Sequence, residues 1–168
     1  MIDDLFSKIC FELGSTACEH GDLTLTYMLY GRAFSDQDNP AMQATLAATL
    51  KKLGQLYMEK ELPADAERLY EKAVTIYKHL AVPDHEGLRD ALDELADHYR
   101  RIGKYAQSAH AFEEAMKIEE EMEIKDKKKR QKRLEQIIWL QLRQGNYENA
   151  QSTHQLMSRV QCGPDRTH

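Results

Sequence analysis

The feature that most constrains this sequence is a pattern of residue classes that returns every 42 residues. The two clearest copies are Leu53, Gly54, Tyr57, Ala66, Tyr70 and Ala73, and then Leu95, Ala96, Tyr99, Ser108, Phe112 and Ala115. Looser copies lie 40 residues before the first of these and 42 after the second, at Gly14, Thr26, Tyr30 and Ala33 and at Ile138, Ala150, His154 and Met157. Four repeats, numbered 1 to 4 along the chain, therefore fill nearly all of the 168 residues, and a fixed period of this kind is typical of stacked repeat architectures.

Each repeat predicts two α-helices. Small and apolar residues lie three and four positions apart, as in Ala66, Tyr70 and Ala73, which is the spacing of one helix face. Glycine stands where the first helix must end in repeats 1, 3 and 4, whereas repeat 2 has Lys60-Glu61-Leu62-Pro63 there, with Pro63 suited to the start of the next helix. We expect helices over about 3–19, 22–35, 40–60, 63–80, 85–102, 105–124, 129–144 and 147–161, with Asn39 and Asp84 as N-caps.

This pattern resembles the tetratricopeptide repeat (TPR), which has Leu-Gly and then an aromatic residue in its first helix, a glycine-containing turn, and Ala, aromatic and Ala along its second. Residues 92–115 match it most clearly. A typical TPR unit has about 34 residues, so the longer period implies about one extra turn per helix. That length, with joints such as Asp38-Asn39-Pro40-Ala41 and Pro83-Asp84-His85-Glu86, is similar to the repeats of kinesin light chain.

The resemblance implies a fold class and a domain organisation. The fold is expected to be all-α, a right-handed α-α superhelix of four helix-turn-helix repeats at about 3–36, 39–80, 84–124 and 128–161. These repeats would form one domain over 1–162, followed by a disordered tail over 163–168.

Composition limits the classes of function. A net charge of −5 argues against a general nucleic-acid binder, since affinity for phosphate backbones comes chiefly from Lys and Arg. No stretch is long and apolar enough to suggest a membrane span, and the acidic amino terminus lacks the basic start of a secretory signal. The odd number of cysteines, Cys10, Cys18 and Cys162, favours a reducing compartment, so we expect a cytoplasmic protein.

The sequence predicts no catalysis. None of the seven histidines forms the i, i+4 pair of a helix-borne zinc site. Gly-rich phosphate loops, nucleophile elbows and two-cysteine metal knuckles do not occur in the sequence. The carboxylates of Glu113, Glu114, Glu119, Glu120 and Glu121 are expected to solvate an exposed helix. We therefore expect neither a metal nor a cofactor.

In the TPR family the first helix of each repeat lines a concave groove, so its outward positions are the predicted partner-binding residues. These are Lys8, Phe11, Ser15 and Cys18; Lys51, Gln55, Met58 and Glu59; Asp90, Asp93, Asp97, Arg100 and Arg101; and Glu135, Trp139, Leu142 and Arg143. Two interpretations of Trp139 stay open, a solvent-facing interaction hot spot or packing on the preceding repeat. Lys8 and Lys51 lack the asparagines of the family's carboxylate clamp, so peptides that bind through a terminal carboxylate are not expected.

A run of basic residues over 125–133 follows the acidic stretch at 119–123. It has three interpretations: a solvated joint with local salt bridges, a docking patch for an acidic partner, or a contact for nuclear import or RNA. No aromatic residues alternate with the basic ones, which disfavours nucleic acid.

Three hypotheses for function follow. The leading one is a non-catalytic interaction scaffold that binds a peptide or helix of a partner in the groove. The second is a small TPR chaperone or peptide-sensing regulator. The third is a structural subunit that self-associates through repeat 4, whose last helix carries Leu156, Met157 and Val160 with no capping helix after it.

Overall fold

A computed structural model describes residues 2–33, 40–122 and 127–162, and in these ranges all regular structure is helical. The helices are α1 (Ile2–Glu19), α2 (Leu23–Ala33), α3 (Pro40–Glu59), α4 (Pro63–Lys78), α5 (His85–Arg101), α6 (Tyr105–Glu121), α7 (Lys127–Arg143) and α8 (Tyr147–Cys162). The all-α class and the four helix-turn-helix repeats are thus confirmed. The predicted end of α2 and the tail at 163–168 lie outside the described residues, whereas α6 ends at Glu121 with Met122 as its C-cap, three residues before the predicted end.

The turn inside each repeat has the same backbone hydrogen bonding. The N–H groups of Asp22, Leu62, Lys104 and Asn146 each donate to the carbonyl five residues earlier, at 2.8–2.9 Å. The residue before each donor has a positive φ, and it is glycine in three turns, whereas Glu61 in repeat 2 has a φ of 60°. Because this conformation is unfavourable for residues with a Cβ, it explains the glycines, and Glu61 is a locally strained substitute for them.

Close contact between a small residue and an aromatic ring holds the two helices of a repeat together. A Cβ on Gly54 would lie 2.9 Å from the ring of Tyr70, and one on Gly14 would lie 2.8 Å from that of Tyr30. In repeat 3 the same positions are Ala96 and Phe112, and both are buried. The residue pattern that recurs along the sequence in repeats 1 to 3 therefore marks the positions of this contact between the two helices.

Repeat 4 departs from the contact. Its aromatic position is His154, which is exposed. A polar link joins α7 and α8 instead, since the Thr153 hydroxyl lies 3.0 Å from the side-chain oxygen of the buried Gln141. The weaker sequence match of this repeat therefore corresponds to a different contact between its helices.

Side-chain caps begin two of the helices. The Asp84 carboxylate accepts a 2.8 Å hydrogen bond from the Gly87 N–H, which confirms it as the cap of α5. Asp22 does the same for α2, accepting from the Leu25 N–H at 3.0 Å. The other predicted cap, Asn39, lies outside the described residues.

The chain divides into two compact parts, Met1–Ala91 and Leu92–His168, with the boundary inside α5. In the N-terminal part α1 packs on α2 and α3 on α4, and in the C-terminal part α6 packs on α7 and α7 on α8. Buried residues of the first part include Tyr30, Leu50, Leu53, Tyr70 and Ala73, and those of the second include Leu92, Ala96, Phe112, Leu134 and Leu140. A single domain over 1–162 remains a prediction.

The backbone strain at Glu61 in the turn of repeat 2 can be tested by mutation. Glu61→Gly removes the unfavourable left-handed conformation and is expected to raise the free energy of unfolding by about 0.5–1 kcal/mol. The reciprocal change Gly103→Ala should lower it by a similar amount, since a Cβ there meets nothing within 4 Å and only the backbone is affected. Urea unfolding followed by circular dichroism measures both. Equal stability of Glu61→Gly and the parent chain would contradict the strain.

Candidate functional site

A small cavity of about 120 Å³ lies in the C-terminal part, on predicted groove positions of α5. Its lining consists of Asp93, Asp97, Phe112, Lys129, Lys132, Arg133 and Gln136. We call it the α5–α7 cavity. Phe112 and Arg133 are buried, and the other lining residues are half-buried or exposed. Sequence reasoning predicted the two aspartates as groove residues but missed Phe112 and Gln136, which carry no signal beyond their place in the repeat.

Arg133 is the electrostatic centre of this cavity. Its guanidinium forms a two-pronged ion pair with Asp93 of α5, at 2.5 and 2.8 Å, and donates from Nη1 to Glu119 of α6 at 2.8 Å. Only 2% of the Arg133 side chain is exposed, and none of the Glu119 side chain. Two carboxylates on two helices thus hold one cation on α7 and fix three helices at the cavity.

This cluster corrects two expectations from the sequence. Glu119 is a fully buried ion-pair partner and not a residue that solvates an exposed helix. Arg133 is likewise buried, so it does not belong to a solvated joint. The sequence shows both residues inside charge runs, and burial of one member of such a run is decided by which helices meet there.

The other residues of the basic run have different environments. Arg130 donates to Glu120 at 2.6 Å, which is the local salt bridge of the first interpretation. Lys132 is exposed at the cavity and Lys129 is half-buried beside it. On the α5 side, Asp97 forms a half-exposed ion pair with Arg100 at 3.2 Å. The cavity therefore has one acidic and one basic side.

Trp139 lies one to two turns farther along α7. It meets the ring of Tyr105 edge-on, with centroids 5.5 Å apart, and the Arg143 guanidinium lies 5.0 Å from its ring centroid. Since Tyr105 belongs to repeat 3, the packing interpretation is confirmed. The indole is nevertheless 37% exposed and the nearby Leu142 is 47% exposed, so an additional role in partner binding stays a prediction.

The other predicted groove residues have local partners or face solvent. Phe11 and Ser15 both contact Tyr30, through a ring contact with centroids 5.5 Å apart and a 3.0 Å hydrogen bond between hydroxyls. Asp90 is held by the buried Arg89 at 3.1 Å, and Glu135 accepts from Gln131 at 3.0 Å. Lys8, Gln55, Glu59, Arg101 and Arg143 are exposed, and Lys51 and Met58 are half-buried. The side chain of Cys18 lies outside those described.

The face of α8 that repeat 4 would offer to a following repeat is more polar than that of α6. Leu156 and Met157 are half-buried. Thr153, His154 and Ser158 occupy the register positions that in α6 are Ala111, Phe112 and Met116. Self-association through this end stays a prediction.

Two other kinds of site are absent from the residues that the structure describes. No helix there has the length and apolarity needed to cross a membrane. No group of three or more His, Cys, Asp and Glu side chains there is arranged to hold a metal ion.

Comparisons with known proteins point to one fold. The model of the tetratricopeptide repeat family matches residues 45–121. The apo form of RapI is similar in structure with a TM-score of 0.70 and 12% identity, over 97% of this chain and 44% of that one. BtubC (BKLC) from P. vanneervenii is similar with a TM-score of 0.61 and 19% identity, over 92% of this chain and 56% of that one. A putative kinesin light chain of nearly identical TPR-like repeats from Podosopora anserina is similar with a TM-score of 0.62 and 17% identity, over 95% of this chain and 77% of that one.

These likenesses concern the fold. The chain spans about half the length of RapI and of BtubC, at 44% and 56% of those chains. No curated protein matches it in sequence.

The buried ion cluster makes a prediction about stability. Arg133→Met leaves the Glu119 carboxylate buried without its cation and is expected to lower the free energy of unfolding by about 3–5 kcal/mol. The double change Arg133→Met with Glu119→Leu removes both charges and should recover a large part of that loss. Urea unfolding of the two single variants and the double variant gives the coupling between the residues.

Arg130→Met is the matched control, because it breaks a bond to Glu120, whose side chain is 54% exposed, and should cost less than about 1 kcal/mol. Additive effects of the Arg133 and Glu119 changes would show that the two side chains are not coupled as described.

Proposed function

We propose that this chain, in which residues 45–121 match the tetratricopeptide repeat model and whose fold is similar to that of a putative kinesin light chain, is a non-catalytic scaffold that binds a peptide or helix of another protein. TPR proteins act generally as protein–protein interaction modules. The proposed binding surface is the row of outward positions on the first helices, with the α5–α7 cavity as its best-defined element. The cavity is the observation that carries the proposal.

The size of the cavity suits a single side chain of a partner. Its volume of about 120 Å³ is somewhat below the roughly 150 Å³ of a cavity that holds benzene. Phe112 supplies an apolar wall, while Lys132 and Gln136 offer N–H donors at the opening. A partner segment would therefore place a medium-sized apolar side chain against Phe112 and a hydrogen-bond acceptor near Lys132.

The ion cluster supports binding through rigidity. Arg133 ties α7 to Asp93 on one wall of the cavity and to Glu119 behind it, so these walls are set before a ligand arrives. A receptor that loses little conformational freedom on binding retains more of its contact energy as affinity. Asp93 belongs to this framework, and Asp97 and Lys132 are better placed to contact a partner directly.

The alternatives to a scaffold are a chaperone or peptide-sensing regulator and a self-associating subunit. A chaperone or peptide sensor would use the same surface, so the identity of the bound segment distinguishes it from a scaffold. A subunit that self-associates through α8 would instead show a mass that depends on concentration and on Leu156.

The proposal is tested by selecting a peptide-display library on the purified chain and on a variant with Asp97→Lys and Lys132→Glu. Both changes lie at the opening of the cavity and leave Asp93, Arg133 and Glu119 intact. One motif enriched on the parent chain should be lost from the variant, and the affinity of the corresponding synthetic peptide should fall by about tenfold or more.

The control is Asp65→Lys with Lys72→Glu on the second helix α4. It makes the same two charge reversals and likewise breaks an i, i+3 ion pair, between Asp65 and Arg68, but away from the first helices. Peptide binding should be unchanged in this variant. Selection of one motif by the parent chain and both variants alike would show that the cavity is not the site.

A further inference from the structure

Repeat 1 exposes a helix face that the other three repeats bury. The residues of this face are Ile9, Leu13 and Thr16 in α1, and the corresponding ones are Thr49, Leu53 and Leu56 in α3, Ala91, Leu95 and His98 in α5, and Arg133, Ile137 and Leu140 in α7. In the later repeats these side chains are buried, apart from the half-buried Leu56. Ile9 is 45% exposed and Leu13 is 53% exposed, against 2–3% for Arg133 and Ile137.

Packing in the C-terminal part identifies what covers this face. The second helix of repeat 3, α6, packs on the first helix of repeat 4, α7. The contact includes the bond from Arg133 to Glu119, and Arg133 is the register counterpart of Ile9. The face is therefore the one on which a helix of a preceding repeat lies. In α1 the same positions carry Ile, Leu and Thr, and all three side chains are exposed.

The charges beside the face indicate which kind of helix fits. Ile9, Leu13 and Thr16 lie at i, i+4 and i+7 and form an uncharged stripe. Glu12 and Glu19, both exposed, lie along the outer edge of this stripe at helix spacing. The one lysine of α1, Lys8, lies on the same side of the stripe, four residues before Glu12 and slightly farther around the helix than either glutamate. A covering helix is thus favoured if it has Lys or Arg beside its own apolar stripe.

A second copy of the chain fits this surface poorly. Two α1 helices packed face to face would bring glutamates against glutamates along the edge of the contact, which is unfavourable. The helix α8 of another copy carries Thr153, His154 and Ser158 at the positions where α6 has Ala111, Phe112 and Met116. At these three positions α8 is more polar than α6.

We propose that the face of α1 formed by Ile9, Leu13 and Thr16 is a docking surface for an amphipathic helix of another protein, with Lys or Arg flanking its apolar stripe. The docked helix takes the position on α1 that α6 takes on α7. This surface shares no residue with the groove of the proposed function and extends the interaction role to a second site.

The test uses two fluorescent helical peptides of 17 residues, the length of α6. Both carry the same leucine stripe, with lysines flanking it in one peptide and glutamates in the other. Fluorescence anisotropy with the full chain should show at least about tenfold tighter binding of the lysine peptide. Leu13→Glu should weaken it by about tenfold or more, and Glu12→Lys with Glu19→Lys should reverse the preference between the two peptides.

Val82→Glu is the control, because Val82 is 71% exposed between α4 and α5 and should not affect binding. The Asp97→Lys, Lys132→Glu variant should also bind the lysine peptide normally, so failure of the groove and failure of this surface are seen separately. Equal affinity for both peptides, or full affinity in Leu13→Glu, would overturn the proposal. A dimer in sedimentation that Leu13→Glu dissociates would overturn it as well, in favour of a second copy.

Discussion

The close approach of two helices within each repeat is the constraint on which the structure depends. Gly54 leaves room for the ring of Tyr70, and a Cβ there would lie 2.9 Å from that ring. An α-helix presents the same face every third and fourth residue, so the small residue and the ring recur at fixed places in repeats 1 to 3, whereas repeat 4 has Ile138 and the exposed His154 there. The turn between them repeats as well, with one positive φ and one hydrogen bond to a carbonyl five residues back.

Differences between the repeats at equivalent positions produce the cavity and the exposed helix face that are proposed as binding sites. One register position is Ile9, Thr49, Ala91 and Arg133 in the four successive repeats. In repeat 4 the arginine is buried and held by Asp93 and Glu119, which shapes one end of the α5–α7 cavity. In repeat 1 the isoleucine is left on the surface. The same geometric position thus serves as an internal anchor at one end of the chain and as a proposed docking surface at the other.

Much of the proposed site could be expected from the sequence, and part of it could not. Asp93 and Asp97 were placed on a first helix by register, and both line the cavity. The ion cluster was missed, because Glu119 and Arg133 each stand in a run of like charges that on most helices is solvated. Trp139 had two interpretations, and only its contact with Tyr105 showed that it packs on the preceding repeat.

The sequence by itself determined the number of helices, their order and nearly all their ends in the described residues. These properties follow from local periodicity, from glycine at positive φ and from caps such as Asp84, which act within a few residues along the chain. Tertiary structure alone decided which charged residues are buried and which apolar ones stay exposed. Arg133 is buried because α5 and α6 bring two carboxylates to it, whereas Leu13 on the corresponding face of α1 is 53% exposed. The burial of a side chain depends on residues that are distant in sequence. The residue pattern of a single helix therefore does not show which of its side chains are buried.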